Sequence, residues 1–135
     1  MQIKVKEEDS EILEIIKNGV IEYNSKYLGK REFKPFVIYA EENSQIIGGI
    51  VGEVVGNCLR IDWLFVEEAF RGKKIGTRLF NELDKFAKAN NCSIMQAETF
   101  DFQAKPFYEK QGFTCVGIIE KWVGGRDCHF MRKEL

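Results

Sequence analysis

Leu59-Arg60-Ile61-Asp62-Trp63-Leu64-Phe65-Val66 is followed, after four residues, by Arg71-Gly72-Lys73-Lys74-Ile75-Gly76-Thr77. The first segment is rich in β-branched, aromatic and other apolar side chains and predicts a buried strand. Beyond the second, Ile75, Leu79, Leu83, Phe86 and Ala87 recur at helical spacing, while Arg78, Glu82, Asp84, Lys85 and Lys88 occupy the other face. A strand that passes through a basic, glycine-bearing turn into a helix outlines an anion site. The first helical turn leaves backbone N–H groups unpaired, and the helix dipole favours negative charge there. Gly72 and Gly76 let that backbone come close to a phosphate.

Upstream, Ile3 and Val5 alternate with lysine and predict a short strand. Asp9 or Ser10 can cap a helix, and Ile12, Leu13, Ile15, Ile16, Val20 and Ile21 mark its apolar face. Gly19 interrupts that helix at a cost of about 1 kcal/mol relative to alanine, so a kink or a division is expected there. Residues 36–40 and 46–55 read as two strands joined by the polar turn at 41–45. Gly48, Gly49 and Gly52 in the second of them predict a bulge or a close backbone approach. With 59–66 they form an antiparallel meander. Downstream come a strand at 93–99, a helix at about 103–111 stopped by Gly112, and strands at 113–119 and 128–133. The stretch between those last two, 120–127 with Trp122, Gly124 and Gly125, reads as a loop.

A chain of 135 residues supports one domain with a single core, so residues 1–135 are read as one domain. Its 44% apolar and 30% charged residues are those of a globular protein. With 20 basic against 21 acidic residues, no global field draws the chain onto nucleic acid or an anionic membrane. No apolar run reaches membrane-span length and the N-terminus lacks signal-peptide architecture, which makes the cytoplasm the expected location. Cys58, Cys92, Cys115 and Cys128 form no Cys-x-x-Cys pair and read as reduced thiols. His129 is the only histidine, so neither a metal site nor a cysteine nucleophile with its base is expected.

Val66-(four residues)-Arg71-Gly72-Lys73-Lys74-Ile75-Gly76 resembles the acetyl-CoA signature Arg/Gln-x-x-Gly-x-Gly/Ala of the GNAT superfamily of N-acetyltransferases. Arg71 and Gly76 match its ends, while Lys74 stands where the central glycine is expected. Ala104-(three residues)-Tyr108-Glu109-Lys110-Gln111-Gly112-Phe113 resembles the same family's Ala-x-x-x-Tyr-Glu-Lys-x-Gly-Phe segment. The two motifs occur in the family's order, and the chain is similar to its small, single-domain bacterial members. The resemblance implies an α/β (α+β) fold of three layers. Its central sheet is mixed, mainly antiparallel, has about six to seven strands and is flanked by helices.

The implied reaction is direct transfer of an acetyl group from acetyl-CoA to a primary amine within a ternary complex. The resemblance assigns the pyrophosphate to Arg71, Gly72, Lys73, Lys74, Ile75, Gly76 and Thr77, and the pantetheine arm to the backbone of Leu64, Phe65 and Val66. Asp101 and Ala104 complete the cofactor set, although an aspartate accepts hydrogen bonds and cannot donate as an amide does. Tyr108 is the candidate general acid, since a phenol can protonate a leaving thiolate at neutral pH. Glu53 and Asp62 interrupt apolar runs and are both candidates for the base, directly or through water, with Glu98 a third. Two-residue periodicity sets Asp62 and Leu64 on one strand face. The first helical region, with Tyr23, Tyr27 and Arg31, would line the acceptor side. The acceptor is a small-molecule or peptide amine, and a homodimer through the late strands is compatible with the family. A different class of function is a non-catalytic acyl-CoA-binding module or sensor, motivated by Lys74 and Asp101.

Overall fold

The computed structural model describes residues 1–30 and 32–135 and divides into two compact units, Met1–Arg31 and Glu32–Leu135. In the first, residues 1–9 form no regular structure, so Ile3 and Val5 do not build a strand. Two apolar residues among lysines offer no face long enough to pair and bury. Helix α1 (Ser10–Leu28) then begins on Asp9, whose Oδ1 accepts the Ile12 N–H at 3.0 Å. That hydrogen bond, with Lys6 at 2.9 Å, holds the Asp9 carboxyl below its usual range. The helix runs through Gly19 without dividing and stops at Gly29, where φ is +68° and the N–H returns to the Ser25 carbonyl.

The second unit is a six-stranded sheet. Strands β1 (Phe33–Glu42), β2 (Gln45–Val55) and β3 (Cys58–Val66) make the antiparallel meander. Asn43 and Ser44 close the first hairpin with φ of 50° and 62°, the left-handed pair that matches strand twist. Pro35 sits in β1, an edge strand where a missing N–H costs no ladder bond. Helix α2 (Ile75–Ala89) crosses over to β4 (Ile94–Phe100), which lies parallel to β3. After the short helix α3 (Lys105–Lys110), β5 (Thr114–Val123) and β6 (Arg126–Glu134) form a hairpin. β6 inserts beside β4, giving the order β1-β2-β3-β4-β6-β5, mixed and mainly antiparallel as the resemblance implies. The expected loop at 120–127 is instead strand on both sides of a Gly124-Gly125 turn with φ of 58° and 72°. Its polar residues lie on an edge strand, where solvent takes the place of a buried face. Among the described residues no helix is long and apolar enough to cross a membrane.

The core lies between the sheet and the two helices of this unit. Leu79, Phe80, Leu83 and Ala87 of α2 bury against Ile50, Leu59, Ile61, Met95 and Met131. Phe80 makes edge-to-face contacts with Phe107, Tyr108 and Phe113 at 5.2, 5.9 and 6.1 Å, which fixes α3 and the chain after it onto α2.

One irregularity in the meander matters for the site. Gly52 pairs with Ile61 and Val51 with Trp63, so Asp62 is an extra residue in β3. The bulge breaks the two-residue period: Ile61 and Leu64 face the core while Asp62 and Trp63 both turn outward. Asp62 and Leu64 therefore do not share a face. Opposite the bulge, a Cβ on Gly52 would collide with the Arg60 carbonyl and the Phe36 ring. Gly52→Ala is expected to destabilise the protein by about 3 kcal/mol, read as a lower urea midpoint at unchanged m-value.

Candidate active site

Parallel pairing of β3 with β4 is limited to Cys58–Arg60 against Ile94–Gln96. Beyond these residues β4 continues to pair with β6 as far as Phe100, and β3 continues with β2 as far as Val66. The two strands thus fork, and each presents backbone edge to the other across a gap. A cleft in this fork is lined by Ile61, Asp62, Trp63 and Leu64 from β3, by Gln96, Glu98, Thr99 and Phe100 from β4, and by Gln103, Ala104 and Tyr108 beyond it. Arg60, Trp122 and Cys128 complete the wall.

The turn after β3 is built to hold its backbone open. Glu67 N–H donates to the Ile47 carbonyl at 2.8 Å, and a single 3-10 turn, Glu68–Phe70, follows. Arg71 Nε donates to the Val66 carbonyl at 2.9 Å, so its guanidinium ties the loop to the end of the strand. The next main-chain bond runs from Arg78 N–H to the Lys74 carbonyl at 3.0 Å. Between them, the N–H groups of Gly72, Lys73, Lys74, Ile75, Gly76 and Thr77 donate to no acceptor among the described residues. Gly72 has φ of +76°, whereas Gly76 provides clearance, a Cβ there meeting the Phe107 ring at 3.0 Å. Lys74 precedes α2 with φ 60° and ψ 22°, left-handed backbone that a glycine would adopt without strain. Lys73 Nζ lies 5.2 Å from the centre of the Phe70 ring.

Tyr108 occupies the floor of the fork and is only 3% exposed. Burial pushes its phenol up to about 12. Its hydroxyl makes no hydrogen bond among the described residues, although its ring is packed against Phe80 and Phe113. Thr99 Oγ1 accepts the Ala104 N–H at 3.1 Å and so anchors the start of α3 to β4.

The carboxylates differ in their surroundings. Arg60 binds Glu53 at 3.0 Å and Asp62 at 2.9 Å, and both acids keep part of their side chains in solvent. Asp62 lines the cleft and Glu53 does not. Glu98 lines it with neither a hydrogen bond nor an ion pair among the described residues. Asp101 turns toward the β5–β6 hairpin, accepting from Arg126 Nε at 2.8 Å and from the Asp127 N–H at 3.2 Å. Partial desolvation, the largest influence, would raise its pKa. The bonds from Asp127 and Arg126, with the charges of Arg126 and His129, outweigh it and lower the value. Phe65 is exposed, and the Val66 carbonyl is the one held by Arg71. Tyr23 and Tyr27 belong to the first unit, their rings 5.7 Å apart on α1, and Arg31 lies outside the described residues.

Cys128 lines the cleft while His129, its strand neighbour, points to the other face, and no metal-binding group of three is found among the described residues. Burial raises the Cys128 thiol, and the nearby Glu98 charge adds to that effect. Trp63, Phe100, Gln103 and Trp122 line the site without having been singled out from the sequence. Only the concentration of aromatics at Phe100, Phe102 and Trp122 could have indicated them.

The model of the acetyltransferase (GNAT) family matches residues 6–113. Blasticidin-S acetyltransferase of Streptomyces morookaense is 34% identical over 109 residues, 77% of this chain and 80% of that protein. The crystal structure of an acetyltransferase from Bacillus cereus ATCC 14579 superposes with a TM-score of 0.90 at 30% identity, covering 98% of each chain. A Bacillus anthracis protein described as a streptothricin acetyltransferase, solved with acetyl coenzyme A, gives a TM-score of 0.67 at 25% identity. That match covers 76% of this chain and 63% of the other.

Lys74→Gly should stabilise the protein by about 0.5–1 kcal/mol, the relief of left-handed backbone less the extra entropy of glycine. Urea denaturation reads the stability. Coenzyme A affinity, by calorimetry, should stay within about threefold, whereas a loss above about tenfold would identify the Lys74 ammonium as a phosphate ligand.

Proposed function

Because this chain belongs to the acetyltransferase (GNAT) family, we propose that it transfers the acetyl group of acetyl-CoA to the nitrogen of a small primary amine, with residues 1–135 working as one domain. The observation that carries this reading is the strand fork beside six N–H groups that have no acceptor among the described residues. One feature suits an extended amide chain, the other a diphosphate.

In this reading the N–H groups from Gly72 to Thr77 bind the pyrophosphate, with Lys73 and Lys74 adding positive charge. Arg71 acts chiefly by holding the loop to Val66. The β3 edge at Leu64, Phe65 and Val66 pairs with the pantetheine arm, and a strand N–H near Leu64 polarises the thioester carbonyl. Ala104 borders the thiol end of the arm. Asp101, engaged with Arg126, shapes the hairpin that flanks it.

The amine lone pair attacks the thioester carbon, and the carbonyl π electrons move to oxygen. Collapse of the tetrahedral intermediate expels the sulfur, giving the amide and the CoA thiolate. The nitrogen releases a proton to the base, and the thiolate gains one or is held by a donor. Tyr108 is that donor. With its phenol at about 12 against about 8.5 for an ordinary thiol, complete transfer is uphill by about 5 kcal/mol. Tyr108 therefore stabilises the departing sulfur mainly as a hydrogen-bond donor. Of the paired acids, Asp62 is the stronger candidate for the base, because the bulge turns it into the cleft while Glu53 stays outside. Its Oδ1 is occupied by Arg60 Nε, which leaves Oδ2 for the proton. The acceptor is read as a small amine because a curated relative 34% identical to this chain is named for one, blasticidin-S.

Thiol release from acetyl-CoA in the presence of an amine library tests the reading, and failure of coenzyme A to bind at millimolar concentration would end it. Tyr108→Phe should lower kcat well over tenfold with acetyl-CoA KM nearly unchanged. Because its folded value is raised from 10.0 to about 12, Tyr108 keeps its proton across the usual assay range. Its proton-linked contribution to stability is complete below pH 10.0 and is lost as pH rises toward about 12. No alkaline limb in kcat below pH 10.0 should then disappear in Tyr108→Phe. Asp62→Asn should cost at least about tenfold in kcat, and Glu53→Gln less than about threefold.

A further inference from the structure

The hairpin side of the fork is aromatic. Trp122 stacks on Phe130 with centroids 6.3 Å apart and planes at 16°, and it lies 6.1 Å from Phe100. Phe100 in turn stacks on Phe102 at 5.8 Å and 13°. Trp122 and Phe100 line the cleft, and Trp63 borders it from the bulge. Although Trp122 packs on Phe130, it keeps 49% of its surface open. Indole faces left open inside a concavity are sites where a flat apolar group gains by burial and by offset stacking.

Charge in the same cleft is unequally compensated. Arg60 is shared between Glu53 and Asp62, which leaves Glu98 on β4 as a carboxylate lining the cleft with no partner among the described residues. Glu98 alternates along the strand with Phe100, so carboxylate and ring rise from the same sheet face. The floor holds the Tyr108 hydroxyl, which makes no hydrogen bond among the described residues and opens into the cleft while the rest of the side chain is buried. An open carboxylate beside an aromatic wall, with a hydroxyl at the floor of the same cleft, calls for a ligand with a cationic nitrogen beside a ring.

We propose that the acceptor is a primary amine carried on a flat ring, with Trp122 stacking the ring and Glu98 holding the ammonium before it gives up its proton. The proposal rests on the acetyl-transfer reading and adds the chemistry that selects the acceptor. Trp122 and Glu98 are then specificity residues, neither belonging to the cofactor machinery.

2-Phenylethylamine and 2-cyclohexylethylamine carry the same charge at the same reach and differ in whether the ring is flat. With saturating acetyl-CoA, thiol release should show kcat/KM for the phenyl compound about fivefold or more above that for its saturated analogue. Trp122→Leu should abolish that preference. Glu98→Gln should lower kcat/KM for both by about tenfold or more. In each variant acetyl-CoA KM should remain within about twofold, which verifies a folded cofactor site. Equal or better use of the cyclohexyl compound or of spermidine overturns the proposal, as does either variant behaving like the parent. Should no amine turn over, calorimetry decides. Absence of any heat from coenzyme A removes the acetyl-transfer reading itself. Coenzyme A binding without subsequent binding of 2-phenylethylamine removes only the acceptor proposal.

Discussion

The parting of β3 from β4 after three paired residues is the constraint on which the rest of the site depends. A strand edge opened inside a sheet carries N–H and C=O groups that lose their partners, and such groups are costly when withdrawn from water. The fold keeps the parting for identifiable reasons. β4 is bound along Ile94–Phe100 to β6, so it follows that strand. β3 is bound to β2 but carries an extra residue at Asp62, which re-aims everything from Trp63 onward. The gap is thus a consequence of two well-satisfied pairings that diverge, and an extended chain of amides is its complement.

The loop that follows shows the same trade between local cost and an available donor. A left-handed lysine at position 74 is unfavourable by roughly 1–2 kcal/mol relative to ordinary backbone. In return the turn aims successive N–H groups outward at the start of α2. Arg71 reinforces this by donating its Nε–H to the Val66 carbonyl, which ties the loop to the strand end. Gly76 contributes differently: its missing Cβ lets Phe107, and with it α3 and Tyr108, lie close against the first turn of α2. The loop before α2 and Tyr108 are therefore coupled through an aromatic contact.

Much of this was legible in the sequence where the signal was local. Alternation and turn residues located the meander, helical spacing located α2, and two short motifs located the loop and Tyr108. The rest depended on partners distant in the chain. The glycines of β2 announced a bulge or a close approach, yet only pairing shows that Gly52 faces an extra residue at Asp62. Strict two-residue periodicity across that point sends Asp62 to the wrong side. Asp101 finds Arg126 across 25 positions, a contact no window of sequence contains. At 120–127 the two glycines suggest the centre of a loop, whereas they form a two-residue turn that extends both strands and delivers Trp122 to the cleft.

Net charge, read over the whole chain, conceals how the charge is distributed. The total of −1 argues against a general attraction for polyanions. Yet Arg71, Lys73, Lys74 and Arg78 are concentrated in one loop and helix start, with no acid between Arg71 and Glu82. The fork, by contrast, is lined among the described residues by Asp62 and Glu98 against the one cation Arg60. On the proposed reading the two substrates carry opposite charge, a diphosphate and an ammonium, and they must meet without exchanging sites. Segregation of charge along β3 achieves that: its end leads into the cationic loop, while its bulge opens toward carboxylate. Each substrate is favoured at one end and disfavoured at the other. A chain with the same composition but mixed charges would bind either one less selectively.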